Sequence, residues 1–173
     1  PLMSLPLAFK TTVGTIPANI PYLTVDDVKN EYWQDRFGKQ TKAKIGLVWS
    51  GSTTHKKDRY RSLALRQLAL LLELAFEFHT LQKEIRSDDK KILKTCKSLY
   101  QHQNDLNDFS DTAALLNQMD LIISVDTSVV HLAGALDKKV WVLLPYIPDF
   151  RWLLNRDDSP WYPSIRLFRQ PKI

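Results

Sequence analysis

An acid, two hydroxyls and a histidine stand together in the stretch SVDTSVVHLAGAL. Asp126, Thr127 and Ser128 follow LIISV, residues 121–125, whose uninterrupted apolar run predicts a buried strand, and they precede an apolar helical pattern. The first amides of a helix have no intrahelical partners and carry the positive end of the helix dipole. The turn therefore indicates a phosphate site, and the alternative at this point is that Asp126 or Thr127 only caps the helix.

His131 follows Thr127 by four residues and Ser128 by three, so the three side chains can share one face of the helix start. A lone histidine on an apolar helix is more often a core residue than a functional one. Because this histidine stands near the helix end that would face a ligand, we interpret it as a support for the phosphate site.

A second polar stretch, GSTTHKKDRYRS at residues 51–62, follows the strand-like run IGLVW. Gly51 allows the backbone to approach a ligand closely, and an arginine such as Arg61 can hold two phosphate oxygens at once. The alternative is a solvated basic loop with no ligand. Two such loops at neighbouring strand ends predict together a diphosphate site.

The elements that must position these loops follow from the hydrophobic pattern. Strands that are apolar on both faces alternate with helices, which predicts an α/β fold with a Rossmann-like parallel sheet and helices on both faces. We expect residues 1–40 to be a connector with a short helix, and residues 41–173 to form the nucleotide-binding domain. We expect five strands, at residues 45–49, 77–82, 98–101, 121–125 and 140–145. We expect five helices, at residues 25–37, 62–75, 88–95, 111–119 and 128–136. Thr24 is the expected N-cap of the first helix, and Ser110 or Asp111 that of the fourth.

Length and composition fit one globular domain: 173 residues, 44% hydrophobic, with a formal net charge of +5 that favours anionic partners. No apolar run approaches the ~18 residues of a membrane helix. The chain begins at Pro1, so we expect a fragment of a longer protein, and a single cysteine, Cys96, fits a reducing, cytoplasmic location.

Other chemistries lack their sequence patterns. The four histidines have no metal-ligand spacing, so we expect no metal site. There is no Walker A sequence, no GxGxxG and no GxSxG elbow, which leaves P-loop, common dinucleotide and serine-hydrolase functions without support.

The stretch from Asp126 to Ala135 resembles the D-T-x-x-x-H-x-A-x-A motif of the ADP-heptose:lipopolysaccharide heptosyltransferase family. The closer resemblance is to the glycosyltransferase-like region at the C-terminus of bacterial tetratricopeptide-repeat proteins. It extends to GLVWSG, to the H-x-x-D-x-x-R-S pattern of His55, Asp58, Arg61 and Ser62, and to the ending DFRWLLNRDDSPWYPSIRLFRQ. It implies one half of a two-domain GT-B fold, namely the half that binds a nucleotide-diphospho-sugar donor.

The resemblance also implies partners and roles. The acceptor domain, the catalytic base and the repeats would lie elsewhere in the same protein, so the isolated chain would be inactive. The nucleotide-sugar would be a substrate, and no cofactor is expected. Two alternatives stay open. One is a non-catalytic nucleotide- or nucleic-acid-binding module, although we expect no nucleic acid partner, and the other is a degenerate structural domain used for partner docking. The implied donor-site residues are Gly51, Ser52 and Arg61 for the diphosphate, with His55 as a further donor- or phosphate-binding residue. Gln82 would lie near the nucleoside, and Asp126 would contact the sugar or orient the loop. The backbone at Thr127 and Ser128 would bind phosphate, with His131 as its support.

Overall fold

The computed structural model describes residues 4–39 and 41–172, and within them one six-stranded parallel sheet organises the chain. The order of its strands is β3-β2-β1-β4-β5-β6, and every neighbouring pair is parallel. This confirms the predicted Rossmann-like α/β fold. The strands are β1 (Lys44–Val48), β2 (Glu77–Thr80), β3 (Leu99–Tyr100), β4 (Leu121–Val125), β5 (Val140–Leu144) and β6 (Ile165–Arg169).

Helices cover the sheet because its strands are apolar on both faces. The helices are α1 (Leu5–Ala8), α2 (Asp27–Phe37), α3 (Asp58–Arg61), α4 (Ser87–Leu93), α5 (Phe109–Asn117) and α6 (Ser128–Ala135). On one face, α2, α5 and α6 pack with the segment between β5 and β6, and Trp33, Leu115, Val130 and Trp152 lie in that core. On the other face, α4 and the segment after β1 cover Leu47, Phe78 and Leu99.

Two helices begin at other N-caps than those predicted. Helix α2 begins after Asp26, whose carboxylate accepts from the Lys29 amide, and not after Thr24. Helix α5 begins after Asp108, whose carboxylate accepts from the Asp111 amide at 2.8 Å, and not after Ser110 or Asp111. In both cases an aspartate caps the free amide three residues further along the chain.

The predicted helix over residues 62–75 was wrong. Tertiary hydrogen bonds draw this backbone away from a helix, because the Leu63 amide donates to the Trp49 carbonyl at 2.7 Å and the Leu65 amide donates to the Asp89 carboxylate at 3.0 Å. Ser62 and Ala64 are accordingly extended. Two short 3₁₀ turns, Leu65–Leu68 and Leu71–Glu73, replace the helix and place leucines on the core.

Strand β6 was not among the predicted elements. Its alternation is regular, with Ile165 and Leu167 buried and Arg166 and Phe168 exposed, as expected for an edge strand with one open face. It pairs with β5 over its full length.

The strand order places a topological switch between β1 and β4. The chain leaves β1 toward β2 on one side and leaves β4 toward β5 on the other, so that a crevice opens at their carboxyl ends. The two polar loops named in the sequence analysis are the loops that follow these two strands. Of the helices in the described residues, none has the length and apolar character that a membrane span requires.

Candidate functional site

Gln82, just after β2, fixes the turn that follows β1. Its Oε1 accepts from the amides of Trp49 and Ser50, at 2.6 and 2.9 Å. Its Nε2 donates to the Ser50 hydroxyl and to the Glu84 carbonyl, both at 3.0 Å. Because the buried amide is fully occupied by these four bonds, Gln82 positions the loop from below.

Arg61 lies directly against Gly51, so that a larger residue at position 51 would displace the guanidinium. A Cβ at residue 51 would come within 2.5 Å of Arg61 Nη2. From this position Arg61 Nη1 donates to the carbonyl of Asp126 at 2.7 Å. The arginine therefore bridges the loop after β1 and the loop after β4.

Buried Asp58 anchors the arginine from behind. It accepts from the Ser62 hydroxyl at 2.7 Å and from Arg86 Nη2, while Arg61 Nε lies 3.7 Å from its Oδ1. Arg86 Nη2 also lies 3.4 Å from the Gly51 carbonyl. One carboxylate thus faces two guanidinium groups.

The start of α6 carries no side-chain cap. Thr127 occupies the N-cap position in an extended conformation, yet its hydroxyl does not bond to the helix amides. It lies instead 3.4 Å from the Ser124 hydroxyl, which donates to the Val125 carbonyl. The capping alternative for Thr127 is therefore wrong, and the positive end of the helix opens on the crevice.

His131 is a packed residue as well as a crevice residue. Its ring stacks on Trp152 with centroids 5.3 Å apart, and its Nδ1 lies 3.3 Å from the Tyr162 hydroxyl. Burial lowers the pKa of His131, although the nearby Asp126 opposes that shift. A neutral imidazole held in this way supports the first turns of α6.

Ser52 and His55 lie on the exposed part of the first loop. The Ser52 hydroxyl lies 2.9 Å from that of Thr54, and His55 Nδ1 accepts from the Lys57 amide at 3.2 Å. These bonds stay within the loop and leave its outer surface open to solvent.

Two cavities meet at these residues. The larger, about 1480 Å³, is lined by His55, Asp126 and His131 together with aromatic residues between β5 and β6 and residues of the N-terminal segment. The smaller, about 550 Å³, is lined by Gly51, Ser52 and Gln82 and by the start of α5. Arg61, Thr127 and Ser128 line both cavities, so a ligand that spans them would pass over these three residues.

Some residues of this region escaped the sequence analysis. Arg86 lies between two of the predicted elements, and only its contact with Asp58 reveals that it belongs to this region. Tyr162 packs so closely on α6 that a Cβ at Gly134 would lie 2.5 Å from its ring, a pairing between residues 28 positions apart. Phe109 lines the smaller cavity, and its position beside an N-cap aspartate was the available signal.

No cluster of three or more His, Cys, Asp or Glu side chains suited to a metal ion occurs among residues 4–39 and 41–172.

Comparisons with known proteins agree with this fold. Residues 105–146, which run from before α5 through β4 and α6 to just after β5, match the model of glycosyltransferase family 9 (heptosyltransferase). The chain is similar to the structure of E. coli ADP-heptose lps heptosyltransferase II, with 17% identity and a TM-score of 0.57, over 92% of this chain and 49% of that one. It is also similar to E. coli heptosyltransferase WaaC with ADP, with 15% identity and a TM-score of 0.52, over 91% of this chain and 47% of that one.

Among curated protein sequences, none matches this chain. The chain spans about half the length of the solved structures that it resembles. It shares the Rossmann-type α/β fold of these heptosyltransferase structures, and the segment that matches the family 9 model is the one that holds the start of α6.

Proposed function

We propose that this chain binds a nucleotide-diphospho-sugar and serves as the donor half of a glycosyltransferase. The observation that carries the proposal is the meeting of two cavities over Arg61, Thr127 and Ser128. The parts of a nucleotide-sugar match this arrangement, because a diphosphate lies between a nucleoside on one side and a sugar on the other. The smaller cavity would take the nucleoside and the larger one the sugar.

Electrostatics at the junction supports the diphosphate position. The uncapped amides of α6 and the guanidinium of Arg61 face the same crevice from two loops. Such preorganised donors stabilise the charge that develops on a departing diphosphate, without needing a metal ion. Asp126 lines the larger cavity only, where its carboxylate can meet sugar hydroxyls.

The acceptor and the catalytic base belong, in this proposal, to parts of the protein outside this chain. The fold neighbours are about twice as long, and one of them was solved with ADP. We propose that the remaining parts include an acceptor domain and tetratricopeptide repeats, that the protein acts in the cytoplasm, and that this chain alone binds donor without turning it over.

Calorimetric titration tests the proposal. ADP, UDP, GDP and CDP are each compared with the matching monophosphate, because a diphosphate site gains from the second phosphate. We expect at least one diphosphate to bind about tenfold more tightly than its monophosphate, the effect of one additional charge-assisted hydrogen bond. Equal affinities for diphosphate and monophosphate would contradict the diphosphate site and favour a non-catalytic nucleotide-binding module. Tighter and strongly salt-dependent binding of an oligonucleotide would favour a nucleic-acid-binding module.

A further inference from the structure

The lining of the smaller cavity combines polar and apolar side chains. The junction residues Arg61, Thr127 and Ser128 are part of it. Leu81 and Leu106, both buried, and Phe109 also line it. If the diphosphate occupies the junction, as proposed above, the rest of this cavity is the place left for the nucleobase.

Phe109 differs from the other apolar residues of α5. Leu115 and Leu116 of the same helix are fully buried in the core, whereas the Phe109 side chain is 59% exposed. Among the described residues, its ring has no aromatic neighbour and belongs to neither core cluster. Core packing therefore does not explain an aromatic side chain at this position.

The backbone at Phe109 is nevertheless held in place. Phe109 is the first residue of α5, between the N-cap Asp108 and the reciprocal partner Asp111. Lys29 of α2 bridges both carboxylates, with Nζ 3.1 Å from Asp108 Oδ1 and 2.7 Å from Asp111 Oδ1. Backbone order at this residue reduces the entropy that a stacking contact would cost.

We propose that Phe109 is the stacking platform for the base of the donor nucleotide. An aromatic ring stacks on any base, because every base has a π-face, and an exposed phenyl ring that lines the same cavity as Arg61 and Ser128 fits this use. The inference rests on the proposed function, since it is the diphosphate at the junction that would bring the base into this cavity. In this role Phe109 determines how much the nucleoside, as opposed to the diphosphate, contributes to the binding affinity.

Titrations of Phe109→Ala and Phe109→Tyr with ADP and with inorganic pyrophosphate test the inference. Phe109→Ala should weaken ADP binding between about fivefold and a hundredfold, the usual range for loss of one base-stacking contact. Phe109→Tyr should bind ADP as the wild type does, and pyrophosphate affinity should be the same in all three proteins. Phe150→Ala is the matched control, because Phe150 is 62% exposed and lines only the larger cavity, so ADP affinity should not change.

The titrations distinguish a failure of the stacking role of Phe109 from a failure of the proposed diphosphate site. Unchanged ADP affinity in Phe109→Ala, or an equal loss for ADP and pyrophosphate, would overturn the stacking role while leaving the diphosphate site in place. Absence of binding of pyrophosphate and of all four nucleoside diphosphates to the wild-type chain would overturn the proposed site, and this inference with it.

Discussion

Arg61 is positioned before any ligand arrives. Its Nη1 is bonded to the Asp126 carbonyl, its Nε faces Asp58, and its Nη2 rests against Gly51. A planar guanidinium held in this way loses little rotamer freedom when it binds an anion. At the scale of single residues, we therefore propose that diphosphate binding depends on Arg61 more than on the exposed histidine and lysines of the same loop.

We expect Arg61→Ala to weaken binding of the preferred nucleoside diphosphate about tenfold or more, because a charge-assisted hydrogen bond is lost. Calorimetry on the purified variant measures the change. Arg66→Ala removes the same charge from an exposed residue that lines neither cavity, and it should bind as the wild type does. Equal losses in the two variants would show that only net charge matters.

Among the elements, α6 contributes most to the proposed site. Thr127 leaves its first amides uncapped, and Ser128 is the first residue of the helix. At this position a proline is compatible with the helix, since its missing N–H has no intrahelical partner. Thr127 already has the extended conformation, with φ −141° and ψ 171°, that a residue before proline requires.

Ser128→Pro should therefore remove one phosphate-binding amide without unfolding the helix. We expect about a tenfold loss of diphosphate affinity relative to Ser128→Ala, which lacks only the hydroxyl, and a melting temperature within a few degrees of that control. Thermal melts and titrations of the two variants provide the comparison. If both bind alike, the helix amides are not part of the site.

The sequence predicted those strands and helices whose hydrophobic pattern is visible within the element itself. Uninterrupted apolar runs identified β1 and β4, and an apolar helical stripe with small residues identified α6. The helix predicted after Ser62 was wrong because hydrogen bonds to Trp49 and Asp89 set the conformation of this region, and no local sequence pattern reveals them. β6 escaped because it follows an irregular connection rather than a helix.

The residues of the candidate site likewise divide into those that a local sequence pattern locates and those that only tertiary contacts reveal. Turn residues next to strong elements, such as Gly51 and Asp126, were predictable because their neighbours fix where the strands end. The bridge between Asp58 and Arg86 was not, since it joins residues 28 positions apart. The loop bonds of Gln82 likewise depend on the register of β1 with β2.

At the scale of the whole molecule, two buried histidines connect the N-terminal helix α2 to the sheet. His79 Nδ1 lies 3.0 Å from His102 Nε2, and both rings contact Phe37 of α2. Burial lowers the pKa of His79 to about 3, with His102 and Lys44 adding to the effect. Burial and Arg36 lower the pKa of His102 to about 4, against the opposing Asp105, and Glu77 lies 3.9 Å from His79.

These shifts make stability depend on pH. In the unfolded chain both histidines take up protons as the pH falls through 6.5, whereas in the folded chain they do so only near pH 4 and 3. The unfolded state then binds more protons, so the free energy of unfolding should be fully present above pH 6.5 and should decrease as the pH falls toward 4. Urea unfolding at pH 7.5, 6 and 5 measures this decrease.

His102→Gln is the informative variant, because an amide can still bond to His79 but does not titrate. Its free energy of unfolding should fall less steeply over the same pH range. A wild-type stability that is equal at pH 7.5 and pH 5 would contradict the burial of these histidines as neutral groups.

The central claim is that the crevice between β1 and β4 binds a nucleoside diphosphate. The measurement that tests it most directly is an amide-resolved NMR titration of the wild-type chain with the tightest-binding diphosphate of the four. We predict the largest shifts at Gly51 and Ser52 and at Ser128–Val130, the first residues of α6. Saturable binding whose shifts lie elsewhere, or no shift at millimolar concentration, would contradict it.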